Sequence, residues 1–312
     1  MKKLLHSSLI ILLALFACRP EEPLVPVTPD TPAPVTIVAT SESVHQNIVC
    51  VEALFSDSTK MYFNLLSDST AETTHYHSFY HDAQPSQKWI YQGEVAIPQK
   101  FTHKGKNYKV VGIGDWTFGG GLGYADFSHV DDAATMQSVE IPHSVTYIGE
   151  RAFQSCKQLV SIEIPNSVTT IGYCAFMGCT ALASIEIPNS VTEIINSCFT
   201  HCQALASVKL PNSIVTICDN AFETCVSLQS FEIPRSVYFL GMEVFKGCDS
   251  LRTLYCLPST PPYQTVSASL NQTSFTFPES LETIYVQAHS VDWYKTDKHW
   301  RPYADIIIAM PE

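Results

Sequence analysis

The segment Ser161–Ala183, SIEIPNSVTTIGYCAFMGCTALA, is one turn of a pattern that recurs five times at a constant spacing of 23 residues, starting at Ser138, Ser161, Ser184, Ser207 and Ser230. Pro142, Pro165, Pro188, Pro211 and Pro234 share one slot, Phe153, Phe176, Phe199, Phe222 and Phe245 a second, and Cys156, Cys179, Cys202, Cys225 and Cys248 a third. A fixed period in this range with aliphatic residues at set offsets is the mark of a leucine-rich solenoid, whose units cannot bury their apolar sides alone and stack to share one core. Within a unit, Ser161-Ile162-Glu163-Ile164 alternates apolar and polar residues as a half-buried strand does, and Pro165, lacking an N–H, ends it. Asn166 and Ser167 suit a turn, and Val168 and Ile171 are expected to point inward from a second extended piece. Gly172 is expected to supply a bend, and Ala175-Phe176-x-x-Cys179-x-x-Leu182 spaces apolar groups as one face of a short helical turn.

Two slots vary. The glycine slot, Gly149, Gly172 and Gly241, becomes Ile195 and Cys218, so those bends must be made differently; the alanine slot, Ala152, Ala175 and Ala221, becomes Cys198 and Val244. Upstream, Val95-Ala96-Ile97-Pro98 and Val111 to Phe118 read as an earlier, degenerate coil. Phe118 and Phe153 are separated by 12 residues more than the period, which places a loop over Gly119 to Asp132. No lysine follows those glycines as a phosphate-cradling loop requires.

The arrangement Leu-x-x-Ile-x-Ile-Pro, Val-x-x-Ile-Gly-x-x-Ala-Phe and Cys-x-x-Leu resembles the BspA-like leucine-rich repeat family of bacterial surface proteins, most clearly from Ser138 to about Leu257. The resemblance implies a right-handed solenoid of the β-rich α/β horseshoe class, with about six to seven coils and a cap at each end. It also implies, as in some members, adhesion to host proteins or other bacteria, and it carries no catalytic residues.

Ahead of the repeats, Lys2 and Lys3, the apolar stretch Leu9 to Phe16 and Leu15-Phe16-Ala17-Cys18 resemble a bacterial lipoprotein signal, in which the cysteine becomes the lipidated first residue. Phe16 is bulkier than that pattern usually carries, and the alternative to lipidation of Cys18 is an ordinary signal peptide with an incidental cysteine. The apolar run is too short to span a bilayer. Prolines at 20, 23, 26, 29, 32 and 34 favour an extended tether, roughly 50 Å long at about 3.1 Å per residue. Glu21-Glu22 close behind Cys18 resembles the export signal of Bacteroides-group surface lipoproteins. The organisation expected is a signal peptide over 1–17, a lipidated tether over 18–40, an N-terminal cap over 41–92, the solenoid over 93–257 and a C-terminal cap over 258–312. In that last segment Ser290 would cap a helix from Val291, and Trp300, Tyr303 and Ile306 to Ile308 would seal the final coil.

The net charge is −12 with 18 basic residues, which speaks against nucleic acid, whose affinity rests on Lys and Arg neutralising phosphates. Eleven cysteines in an exported chain suggest disulfides. Parallel stacking, however, holds equivalent Cβ atoms near 5 Å, wider than a bridge prefers, so the ladder is expected to hold buried thiols. His75 and His77 would share a strand face and could hold a metal, although an exposed polar strand explains them as well; no cofactor or metal is expected. What remains is the outward slot of the main strand, Glu140, Glu163, Glu186, Lys209, Glu232 and Tyr255, a column of mostly like charge that a basic partner would relieve. The expectation is a non-enzymatic lipoprotein on the outer membrane, cell-surface exposed, that binds a host or bacterial surface protein or glycan and touches the membrane only through its lipid. The alternatives are a periplasm-facing envelope scaffold and a carbohydrate-processing enzyme, for which no paired carboxylates in a cleft can be named.

Overall fold

The computed structural model describes residues 37–45, 48–55, 60–74, 91–119, 135–263 and 277–311; Cys18, the tether, His75, His77 and the insertion at 120–134 lie outside them. The first strand, β1 (Ile37–His45), starts ahead of the 40/41 boundary and forms an antiparallel meander with β2 (Ile48–Phe55), β3 (Lys60–Leu65) and β4 (Thr70–Thr74). β5 (Gln92–Ala96), β6 (Lys100–His103) and β7 (Lys106–Ile113) follow. β4 pairs with β7 in parallel, which joins the meander directly to the repeat array. Met61, Phe63 and Ala71 face inward, and Phe63 stacks on Phe101 at 4.4 Å.

The repeats build two walls of short parallel strands. On the first wall, β8 (Thr135–Glu140) pairs with β5, placing Val139 beside Val95 as the degenerate coil requires. On the second wall, β9 (Tyr147–Ile148) pairs with β7 and with β10 (Thr170–Ile171). β11 (Ser184–Glu186), β13 (Ser207–Lys209), β15 (Ser230–Ile233) and β17 (Thr253–Cys256) continue the first wall, and β12 (Glu193–Ile194), β14 (Thr216–Ile217) and β16 (Phe239–Leu240) the second. In the turns between walls the serine hydroxyls donate to the preceding coil, Ser213 Oγ to Val191 O at 2.7 Å and Ser236 Oγ to Ile214 O at 2.6 Å.

The third wall departs from the expected helical turn. It is a run of tight turns without a helix, because each coil carries two residues in the left-handed region. Arg151, Cys174, Ser197, Asn220 and Glu243 hold φ of 53–58° in one slot, and Ser155, Gly178, His201, Thr224 and Gly247 hold φ of 59–75° in the other. Left-handed backbone costs a non-glycine residue roughly 1–2 kcal/mol. In return the amides point along the stack. Arg151 N donates to Tyr173 O at 2.8 Å, Phe153 N to Ala175 O at 2.8 Å and Ser155 N to Met177 O at 2.7 Å, and the same three bonds recur at each of the following junctions as far as Thr224 N to Lys246 O at 2.7 Å.

The glycine slot therefore has a different role from the one expected. Gly149, Gly172 and Gly241 do not have positive φ; they permit close approach. A Cβ at Gly172 would sit 2.6 Å from Glu150 N, and one at Gly241 2.4 Å from Asp219 N. Where Ile195 replaces glycine, the second wall breaks: β10 ends one sheet and β12 begins another. The smaller Cys218 keeps its bond to Ile194 O at 2.8 Å. The first wall is interrupted nearby, since Ser161–Ile164, the repeat with the clearest strand alternation, forms no ladder. Repulsion between stacked glutamates does not explain this, because the oppositely charged Lys209 and Glu232 also lie on unpaired neighbouring strands.

The core is a column of rings. Phe118, Phe153, Phe176, Phe199 and Phe222 stack with centroids 5.1–5.4 Å apart, and Phe245 follows at 6.1 Å. Beside it runs the cysteine ladder, fully buried and free of disulfides. Each thiol donates to a phenylalanine carbonyl of the preceding coil, as in Cys179 Sγ to Phe153 O at 3.1 Å and Cys248 Sγ to Phe222 O at 3.1 Å. Burial pushes these thiols up, Cys248 to about 12.

The parallel ladder passes residue 257. Phe277 packs on Phe245 at 6.2 Å, and β17 pairs in register with β18 (Thr283–Val286), which pairs with β19 (Ile307–Ala309). The segment around Pro258, Pro261 and Pro262 stretches the spacing from Tyr255 to Tyr285 to 30 residues and so hides the repeat in the sequence. The α-helical part of the expected α/β class shrinks, among the described residues, to α1 (Val291–Thr296). Ser290 stands at its N-cap, yet its hydroxyl donates to Ser259 O at 2.7 Å instead of capping. Trp300 is fully buried and its Nε1 donates to Pro262 O at 3.0 Å, so it anchors the closing segment onto that turn.

Three outcomes follow from this packing. Phe199→Ala should lower stability by about 3–5 kcal/mol in urea denaturation, by opening a gap in the ring column. Gly172→Ala should cost about 1–3 kcal/mol by forcing two coils apart. The thiol pKa values are raised in the folded state, so their stabilisation is complete below the unfolded value of about 8.5 and is lost as pH rises toward the folded values. The unfolding free energy measured in urea should fall between about pH 9 and 12, and Cys225→Ala should reduce that slope by about 1.4 kcal/mol per pH unit; a flat profile would mean that the thiols meet solvent.

Candidate functional site

The outward slots of the first wall form one row. Glu140 sits beside Ala96 at the start, Glu163 is exposed on the coil without a ladder, and Glu186 and Lys209 are register partners. Lys209 Nζ lies 2.6 Å from Glu186 Oε1. Both side chains are exposed, so this pair stabilises by no more than about 1 kcal/mol, but it removes one carboxylate's charge from the row. Glu140, Glu163 and Glu232 have no ion pair among the described residues.

Beyond Lys209 the row changes character. Glu232 is the register partner of Tyr255, Tyr255 of Tyr285, and Tyr285 of Ile308. Tyr255 is 37% and Ile308 44% exposed, and the two tyrosine rings stack with centroids 5.2 Å apart and planes inclined by 16°. Reading the period alone misses Tyr285 and Ile308, because both follow the lengthened coil; an apolar–aromatic alternation in Ile284-Tyr285-Val286 is the only signal that they continue the row.

Two other polar sites stand out. Arg151 lies between aromatic rings of the flanking coils, its guanidinium carbon 4.9 Å from the Trp116 centroid and 4.7 Å from that of Tyr173, and it donates to Glu150. A shallow cavity of about 400 Å³ is lined by Val49, Leu65, Leu66 and Tyr108 with charged residues at its rim. There Lys104 and His103 meet Glu42, the latter at 2.9 Å, and Lys106 meets Asp68 at 3.2 Å, so the rim charges largely satisfy one another. The partners hold the Glu42 carboxyl below the usual carboxylate range, with Lys104 the larger cause. Among the described residues no group of three His, Cys, Asp or Glu side chains is placed to hold a metal ion.

The comparison with protein families agrees with the repeat seen in the sequence. Residues 130–252 match the BspA type leucine rich repeat region in six copies. A leucine rich cell surface protein from Faecalibacterium prausnitzii A2-165 is 25% identical, over 74% of this chain and 65% of that one, with a TM-score of 0.45. A leucine-rich repeat protein from Bacteroides ovatus ATCC 8483 is likewise 25% identical, over 77% of this chain and 62% of its own, with a TM-score of 0.46. The chain thus spans a little under two thirds of either structure. No curated protein matches it. The recurring slots and the stacked coils are those of a leucine-rich repeat, and residues 130–252 are similar to the BspA type of that repeat.

Proposed function

We propose that this protein is a non-enzymatic, exported lipoprotein, anchored through Cys18 to the outer membrane and exposed at the cell surface, whose first-wall row binds a protein or glycan of a host or of another bacterium. One observation carries the reading. The phenylalanine and cysteine ladders of the core repeat unchanged from coil to coil, whereas the outward row runs Glu140, Glu163, Glu186, Lys209, Glu232 and Tyr255 and leaves three carboxylates unpaired among the described residues. A repeat scaffold that holds varied groups at strand spacing presents an extended, addressable surface, and its like charges are relieved by a basic partner. The lipid anchor and export rest on the sequence of residues 1–22, and the closing roles of the meander and of the segment after Pro258 on the need to cover the ends of a solenoid.

The test has two parts. External protease should remove the protein from intact cells, and complete protection would favour a periplasm-facing scaffold. Glu140→Lys combined with Glu163→Lys should weaken capture of basic partners by about tenfold at physiological salt, read by surface plasmon resonance against a panel of matrix proteins and glycans. Unchanged affinity would place the binding surface elsewhere.

A further inference from the structure

We propose that the step between Glu232 and Tyr255 is an arginine-recognition notch, and that the partner of this face is a basic polypeptide that presents arginine; this deepens the function proposed above and rests on the same row. The geometry is fixed by register. Glu232 and Tyr255 are Cα partners on adjacent parallel strands, about 4.8 Å apart. One face of the Tyr255 ring is covered by Tyr285, at 5.2 Å and nearly parallel, so its other face turns toward Glu232. Glu232 is exposed and unpaired among the described residues; Arg235, three residues on, makes no ion pair with it, and nearby Arg252 is engaged by Glu282 at 3.4 Å and by the carbonyls of Asp249 and Ser280.

A carboxylate one strand away from an open ring face suits a guanidinium. The planar cation can lie on the ring while its in-plane N–H groups reach the carboxylate, an arrangement that a compact ammonium cannot reproduce. The protein itself contains this arrangement: Arg151 sits over the rings of Trp116 and Tyr173, one from each flanking coil, and donates to Glu150. Coil spacing therefore accommodates a guanidinium among ring and carboxylate groups. The stacking also argues against a sugar, because rings stacked on one another along the row do not lay their faces flat toward solvent. Glu140 and Glu163 add longer-range attraction for a basic chain, and Ile308 extends the apolar end of the row.

Fluorescently labelled nonamers of arginine and of lysine, titrated with the full purified chain at about 0.15 M salt, test the notch by anisotropy. The arginine peptide should bind about threefold to tenfold more tightly than the lysine peptide. Tyr255→Leu should collapse that ratio toward one, Tyr255→Phe should keep it, and Glu232→Gln should reduce it. Glu140→Gln should weaken both peptides alike. Equal affinities in the unaltered chain, or a preference that survives Tyr255→Leu in protein with an unchanged circular dichroism spectrum, would overturn the notch. If both peptides bind equally and Glu163→Lys weakens both, the notch fails while the acidic row remains a binding face. If neither peptide binds, or a neutral oligosaccharide takes the site instead, the basic-partner assignment fails with it.

Discussion

Everything in this array depends on the amides that the third wall turns along the stacking direction. A coil of 23 residues cannot satisfy its own backbone, and a buried N–H without a partner costs about as much as a lost hydrogen bond. Two left-handed residues per coil aim their amides at the next coil, and the phenylalanine between them does the same. That phenylalanine is satisfied on both sides: Phe153 N reaches Ala175 O, and Phe153 O accepts the thiol of Cys179. The cysteine slot thus becomes intelligible. It needs a group small and apolar enough for the core, yet with a hydrogen to donate. Ring column, thiol ladder and axial amides are three aspects of one junction, and the strain of the left-handed residues is offset only because the next coil is present.

Much of this is legible in the sequence. The period, the burial of the Phe, Cys and Ile slots and the proline at the strand end follow from residue type and spacing, and Glu186 and Lys209 fall in the same row as expected. Other features leave no local mark. Arg151, Cys174, Ser197, Asn220 and Glu243 are dissimilar residues, of which Asn220 alone is a type that favours positive φ; tertiary bonds impose it on the others. The glycines drew attention to the wrong place, because a glycine kept for close approach looks the same in sequence as one kept for its φ. A lengthened coil concealed Tyr285 and Ile308, and with them the aromatic end of the row.

The surface obeys a looser rule than the core. A change in the ring column is felt by two neighbouring coils at once, whereas exchange of an outward residue such as Glu186 for Lys209 alters only a weak, solvent-screened contact. Such a scaffold can vary its row without repacking, and for this reason recognition on it depends on which side chains happen to adjoin. The acidic start and aromatic finish of the row are one such sequence of neighbours.

The discontinuity at Ile195 has a mechanical side. Between the coils of Ile171 and Ile194 the second wall's strands do not pair and the first wall lacks a ladder, while the third wall keeps all of its axial bonds. Stiffness is therefore unequal around the circumference there: the third wall keeps its three axial backbone bonds, whereas the strand walls are joined by the amide of Ala183 to Val160 O and the hydroxyl of Ser190 to Val168 O in place of a ladder. Load applied along the stack would bend the body at this level, opening it on the strand side like a book about its spine.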